Sequence, residues 1–188
     1  MNHLAHALVA HRAGSSITGN LMGDFVKGDP ATRWNGPLRE GILLHRRVDA
    51  FADDHPVFAR SRARLRPPFR RWAGILIDVF WDHLLARRWT EYCDTPLRAF
   101  ADDVYAELRR EWAALPERMI PFATYLIETD LLVAYRDPAG VARAFAGMSR
   151  RVRRANPLGE AMPTLEGERA GLDVDFREFF PELLAAVG

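Results

Sequence analysis

Four times along this chain a short polar side chain stands just ahead of a proline: Asn35 before Pro37, Asp54 before Pro56, Thr95 before Pro96 and Asp137 before Pro138. A capping oxygen satisfies free backbone N–H groups at a helix start, and proline, with its fixed φ and missing N–H, suits the first turn. Ser15-Ser16 reads as a further start. Between these points apolar residues recur at three- and four-residue intervals, as in Ile42, Leu43, Val48 and Phe51, or Ile75, Val79, Leu84 and Leu85. That is the period of a helix buried along one face. Strand patterning is nearly absent, so the chain reads as all-α, with helices over roughly 2–12, 18–28, 37–53, 56–65, 68–92, 96–114, 119–135, 138–154 and 174–186. From Asn156 to Asp173, the run of Pro157, Gly159, Pro163, Gly167 and Gly171 predicts a loop with a short turn.

With 188 residues, 48% of them hydrophobic, the chain can bury a substantial core as a single domain over 1–188. No long apolar run escapes interruption by charges such as Asp78 and Asp82, which argues against a membrane span. The opening Met1-Asn2-His3-Leu4-Ala5-His6 has no basic leader and no apolar stretch, so export is not expected. Cys93 is the only cysteine and reads as a small buried apolar residue; a chain without a disulfide or a thiolate cluster fits a reducing, cytoplasmic setting.

Lys27 is the only lysine among 26 basic residues, so nearly all positive charge is guanidinium, a planar fork suited to carboxylate and phosphate. Arg60, Arg62, Arg64, Arg66, Arg70 and Arg71 form one cluster, and Arg150, Arg151, Arg153 and Arg154 another. Either cluster reads as a solvated helix face or as an anion-attracting patch.

Polar residues also stand where helices normally bury apolar ones. Asp24 lies in Gly23-Asp24-Phe25-Val26, where a carboxylate needs donors or a cation unless it caps a helix or faces solvent. His45 and Asp49 are four apart, one above the other on a helix, and Asp53 continues the row. Asp78 and Asp82 stand four apart in the most apolar segment, Ile75 to His83, where they repel each other and lose hydration unless something satisfies them. Metal ligation and pairing with Arg46, Arg47, Arg70 or Arg71 would serve equally. Taken together, His6, Asp24, His45, Asp49, Asp78, Asp82 and His83 come from four helices, and an oxygen-rich set with some imidazole suits Mn²⁺ or Mg²⁺ better than structural zinc. No Gly-x-Ser-x-Gly elbow, phosphate-binding glycine loop or dinucleotide fingerprint offers another chemistry.

The opening hexapeptide, the block Ser16-Ile17-Thr18-Gly19-Asn20-Leu21-Met22-Gly23-Asp24-Phe25-Val26-Lys27-Gly28, the segment Gly41-Ile42-Leu43-Leu44-His45-Arg46-Arg47-Val48-Asp49, and Asp78-Val79-Phe80-Trp81-Asp82-His83 together resemble the acyl carrier protein phosphodiesterase family. Phe179-Phe180-Pro181-Glu182-Leu183-Leu184 is also similar. The resemblance implies a helical bundle distantly related to the HD phosphohydrolases, in which Mn²⁺ or Mg²⁺ helps cleave 4′-phosphopantetheine from holo acyl carrier protein. Two departures stand out. His3 takes a position where the family usually has an apolar aromatic, and the His-Asp dipeptide appears only in reverse, at Asp54-His55 and Asp82-His83. His55, between a cap and a proline, reads as structural.

On this resemblance Asp24, His45, Asp49 and Asp78 are expected to hold the metal, with His6 or Asp82 completing the shell. His83 or His6 would protonate the departing serine oxygen, and Arg46 or Arg47 would balance charge on the phosphoryl group. Carrier proteins are typically acidic around the modified serine, so Arg62, Arg66, Arg70 and Arg71 are the expected docking rim. No nucleic-acid or membrane partner is expected. The same residues leave room for a hydrolase of a small nucleotide or another phosphodiester, and for a non-catalytic helical module whose aspartates pair with arginines.

Overall fold

The computed structural model describes residues 1–187. Among them there are no strands; the chain is a single all-α domain of helices α1 (His3–Arg12), α2 (Ile17–Leu21), α3 (Gly36–Asp54), α4 (Pro56–Arg64), α5 (Ala73–Arg87), α6 (Leu97–Arg110), α7 (Ile120–Glu128), α8 (Leu131–Ala134), α9 (Pro138–Arg151), α10 (Met162–Gly167) and α11 (Arg169–Val187). No helix among the described residues is long and apolar enough to cross a membrane.

Two helices form the centre. In α1 every residue from Leu4 to Ala10 is buried, and α5 buries Leu76, Ile77 and the run Val79 to Ala86. Around α5, Trp81 packs against Phe58 of α4 and Phe176 and Phe179 of α11, with centroids 4.8–6.0 Å apart. Truncating such a fully buried ring to alanine costs about 3–5 kcal/mol. Cys93 is half-buried at the edge of this core.

Several boundaries move for identifiable reasons. Asp137 caps α9 through Ala139 N (2.9 Å) and Ser16 caps α2 through Gly19 N (3.0 Å), as the sequence predicts. At α4 the cap is His55, which accepts from Val57 N, while Asp54 is the last residue of α3. Before Pro37, Asn35 takes the capping position without a side-chain bond, and α6 begins after Pro96. The expected 68–92 helix shortens to α5 with a 3-10 turn at each end, and 119–135 divides into α7 and α8 at Asp130, which adopts φ +50°. Aspartate tolerates that left-handed conformation better than most residues.

The segment 156–173 is a correction. It holds a 3-10 turn, Leu158–Glu160, then α10 and the first turn of α11. Pro163 falls in the first turn of α10, where it breaks no hydrogen bond, and Gly171 gives Arg64 room, since a Cβ there would lie 2.2 Å from its guanidinium. The arginine in question reaches across to α11 because Asp175 is there: Arg60, Ser61 and Arg64 all bond this buried carboxylate at 2.7–3.0 Å.

One helix crossing positions the functional residues. A Cβ on Gly19 would lie 2.5 Å from the Leu38 carbonyl, and one on Gly41 2.6 Å from the Ser16 carbonyl, so α2 and α3 touch backbone to backbone. Glu107 of α6 fixes the start of α2 by accepting from Thr18 N and the Ser16 hydroxyl. With α2 held this close, Asn20 comes against α1 and the 3-10 turn Gly23–Phe25 comes against α3.

Candidate active site

Where α1 crosses α3, His6 and His45 stack, with ring centroids 4.0 Å apart and planes 16° from parallel. Asp49, one turn after His45, spans the pair: Oδ1 lies 3.1 Å from His6 Nε2 and Oδ2 lies 3.0 Å from His45 Nε2. One ligand atom from each of these three residues falls within 4.8 Å of the others, the spacing of a metal-binding group. Asp24 adds a carboxylate 3.4 Å from His45 Nε2. The i, i+4 row read from the sequence thus lies on the face of α3 turned toward α1, with α1 supplying a second imidazole.

The cluster opens into a cleft of about 420 Å³ whose wall includes His3, Asp24, Asp49, Asp53, Asp78 and Arg62. The α-amino group of Met1 reaches into it, 3.2 Å from Asp78 Oδ1 and 3.5 Å from Asp49 Oδ1.

Titration behaviour follows from this crowding. Burial pushes His6 down to about 4, against the upward pull of the adjacent Asp49 carboxylate. Burial acts on His45 in the same direction, but its bonds to Asp24 and Asp49 prevail and raise it to about 9. Asp49 and Asp24 feel burial upward and are nevertheless held below the ordinary carboxylate range, Asp49 by both imidazoles and Asp24 chiefly by His45. Asp78 moves upward through burial, offset in part by the neighbouring ammonium.

A divalent cation suits this donor set. Asn20 Oδ1, 2.9 Å from His6 Nδ1, can only accept, so Nδ1 carries the proton and Nε2 aims a lone pair at a carboxylate oxygen. Two acceptors that close are held together by a positive charge. The ammonium between Asp49 and Asp78 and the proton of His45 between Asp49 and Asp24 repeat the theme. A single hard cation with oxygen and imidazole ligands answers all three demands at once.

Four expected members lie elsewhere. Asp82, fully buried, accepts from Leu4 N at 2.8 Å and Ala5 N at 3.0 Å and so caps α1 from a neighbouring helix. Burial pushes it up to about 7 against the pull of those two donors. Its apolar surroundings suggested a need for a cation or a guanidinium, but the free N–H groups of a helix start serve the same purpose. His83 faces away from the cleft, with Nδ1 2.7 Å from the Tyr135 carbonyl and Nε2 3.4 Å from the Arg169 guanidinium. Arg46 ties down the loop after the Gly23–Phe25 turn by donating to the carbonyls of Val26 and Gly28, and Arg47 is exposed outside the cleft wall.

Of the expected docking residues, Arg62 lies in the cleft wall, while Arg66, Arg70 and Arg71 are exposed. The two arginine clusters meet in space: Arg154 lies over the ring of Trp72, next to Arg71, with its guanidinium carbon 5.0 Å from the centroid. Sequence reasoning assigned no role to His3 or Asn20. Each sits in a motif segment, but which face of its helix met the cluster was not readable from spacing.

The family model described as acyl carrier protein phosphodiesterase matches residues 1–183. Proteins of that name from Salmonella agona (strain SL483) and Salmonella newport (strain SL254) are 37% identical to this chain over 186 residues, covering 98% of it and 96% of each relative. No solved structure matches it. On a match of this length and identity, the chain belongs to the acyl carrier protein phosphodiesterase family.

Proposed function

We propose that this protein is a metal-dependent phosphodiesterase that releases 4′-phosphopantetheine from holo acyl carrier protein in the cytoplasm. The observation that carries the reading is the convergence of His6, His45 and Asp49 on one another at a cleft that Asp49 and Asp24 line, in a chain whose family is named for that substrate. His6, His45, Asp49 and Asp24 would hold Mn²⁺ or Mg²⁺, with Asp78 in the same cleft wall. Such an ion supplies Lewis acidity toward a phosphoryl oxygen and acidifies water.

The chain's own groups account for the remainder. Asn20 fixes the His6 tautomer, leaving Nε2 as the ligand atom. Arg62 lies in the cleft wall with the carboxylates, where a guanidinium can pair with the phosphoryl oxygens; it takes the part expected of Arg46, which is bonded to the Val26 and Gly28 carbonyls, and of Arg47, which does not line the cleft. In the reaction, the oxygen of water bonds to phosphorus and the bond from phosphorus to the carrier serine breaks. The water proton is lost to the cleft and the serine oxygen takes one up; His3 and Asp78 are titratable groups in that wall. The phosphate stays with the pantetheine arm.

Incubating the purified protein with holo acyl carrier protein, with Mn²⁺ or with EDTA, and weighing the carrier by mass spectrometry tests this. Conversion to the apo mass with Mn²⁺ alone is expected. Turnover of nucleotides but not of holo carrier would replace this reading with that of a small-molecule phosphohydrolase, and no turnover of either would leave a binding module.

A further inference from the structure

The turn Gly23–Phe25 contributes to two clefts. Asp24 lines the one at the histidine cluster, 3.4 Å from His45 Nε2, while Phe25 and Lys27 line a separate surface cleft of about 510 Å³. Arg33 and Trp34, just before α3, and Glu117 and Arg118, just before α7, belong to the wall of this second cleft. Two hydrogen bonds tie the segment 25–34 to the segment 114–118: the Trp34 indole donates to the Ala114 carbonyl at 2.9 Å, and Arg118 Nε donates to the Phe25 carbonyl. The cleft is thus braced across its width.

Its charge is out of balance. Lys27, Arg33 and Arg118 stand with a single carboxylate, Glu117, and all four side chains are exposed. Among the described residues none of the four forms an ion pair; Arg118 bonds the chain through Nε, and Arg33 lies over Trp34 with its guanidinium carbon 4.9 Å from the ring centroid. Other arginines are neutralised by their neighbours: Arg60 by Asp175 and Glu178, Arg88 by Asp173 and Glu91, and Arg98 by Asp102 and Asp130. The second cleft therefore keeps cations for which the chain supplies no counter-charge.

Three exposed cations around a half-buried indole are complementary to carboxylates carried on a partly apolar protein segment. Nucleic acid fits less well. With a net charge of +1, the chain lacks the extended positive field that a phosphate backbone requires.

We propose that the cleft between the Gly23–Phe25 turn and the α6–α7 connection docks an acidic segment of the carrier protein substrate, with Lys27, Arg33 and Arg118 receiving its carboxylates. The inference rests on the functional reading above. It adds a docking surface that shares no residue with Arg66, Arg70 and Arg71. Phe25 in its wall directly follows Asp24, and neighbouring Cα atoms are about 3.8 Å apart, so a carrier seated here lies beside the cleft that Asp24 lines.

The test compares the parent with the double variants Lys27→Glu/Arg33→Glu and Lys27→Ala/Arg33→Ala. Binding of apo acyl carrier protein and of 4′-phosphopantetheine to Mn²⁺-loaded protein would be measured by calorimetry at two salt concentrations, beside kcat/KM on holo carrier protein. The charge-reversed pair should weaken apo carrier binding and lower kcat/KM about tenfold or more at low salt, and by less at high salt, where exposed charges are screened. The alanine pair should fall between it and the parent, and 4′-phosphopantetheine binding should stay parental in both. Parental carrier affinity in the charge-reversed pair, or an equal loss for 4′-phosphopantetheine, would overturn the docking site while leaving the activity in place. Lost affinity for a single-stranded oligonucleotide with none lost for the carrier would overturn it in favour of nucleic acid. A parent that neither binds apo carrier nor turns over holo carrier would instead remove the functional reading, and this docking site with it.

Discussion

Asp49 sets the two oxygens of one carboxylate against two stacked imidazoles, 3.1 Å from His6 Nε2 and 3.0 Å from His45 Nε2. The side chain is 40% exposed, so the residue that organises the cluster also faces the cleft. Its loss should therefore be felt in binding of the proposed metal before it is felt in the fold.

Asp24→Ala, Asp49→Ala and Asp78→Ala should each remove metal-dependent turnover and leave a folded helical protein, with Asp49→Ala the most severe. Asn20→Ala should weaken Mn²⁺ binding by roughly 10–100-fold, as loss of a group that orients a ligand does. Metal calorimetry, circular dichroism and turnover across a Mn²⁺ titration check all four. Near-parental activity in the Asp24 and Asp78 variants would exclude both from the ligand set.

Gly23 lies under His45. A Cβ at that position would fall 2.1 Å from the imidazole, closer than any real contact. Gly23→Ala should push the ring away from Asp49 and lower Mn²⁺ affinity and kcat together, with helicity preserved, because the turn that carries it lies outside the core helices. Unchanged affinity would show that the ring can move without consequence.

Charge neutralisation at Arg66, Arg70 and Arg71 should lower kcat/KM for holo carrier protein and flatten its salt dependence. Steering between exposed charges is screened over about 8 Å at physiological ionic strength. Arg62, in the cleft wall, should differ: Arg62→Ala should lower kcat at saturating carrier as well. Steady-state kinetics at two ionic strengths separates the two effects, and unchanged carrier kinetics in the triple variant would eliminate that patch as the docking surface.

Asp175→Ala should destabilise the junction of α4 and α11, leaving the fully buried Ser61 hydroxyl without its acceptor at a cost of about 1–3 kcal/mol. Burial pushes Asp175 up, but Arg64, Ser61 and Arg60 hold it below the ordinary carboxylate range. A depressed carboxylate adds stability that is complete above its unfolded value of about 3.9 and disappears as pH falls through the folded value. The gap between parent and variant in urea unfolding should therefore be widest near neutrality and narrow below about pH 3.9. A gap independent of pH would mean that the carboxylate charge contributes nothing.

The sequence by itself determined the helical class, most helix starts and the α3 row of His45, Asp49 and Asp53, because caps, prolines and the 3.6-residue period are local properties. It also marked Asp24 and Asp78 as carboxylates in need of partners. It could not separate Asp78 from Asp82, since both stand in one apolar helix. Only the tertiary structure decided that the start of α1 meets Asp82 while Asp78 faces the cleft. The division of the arginines was decided in the same way: Arg60 and Arg64 are tied to Asp175, a residue more than 100 positions away, while Arg62 between them enters the cleft. Residues two apart on a helix point to different faces, and what waits at each face depends on how distant helices pack, which spacing along the chain does not record.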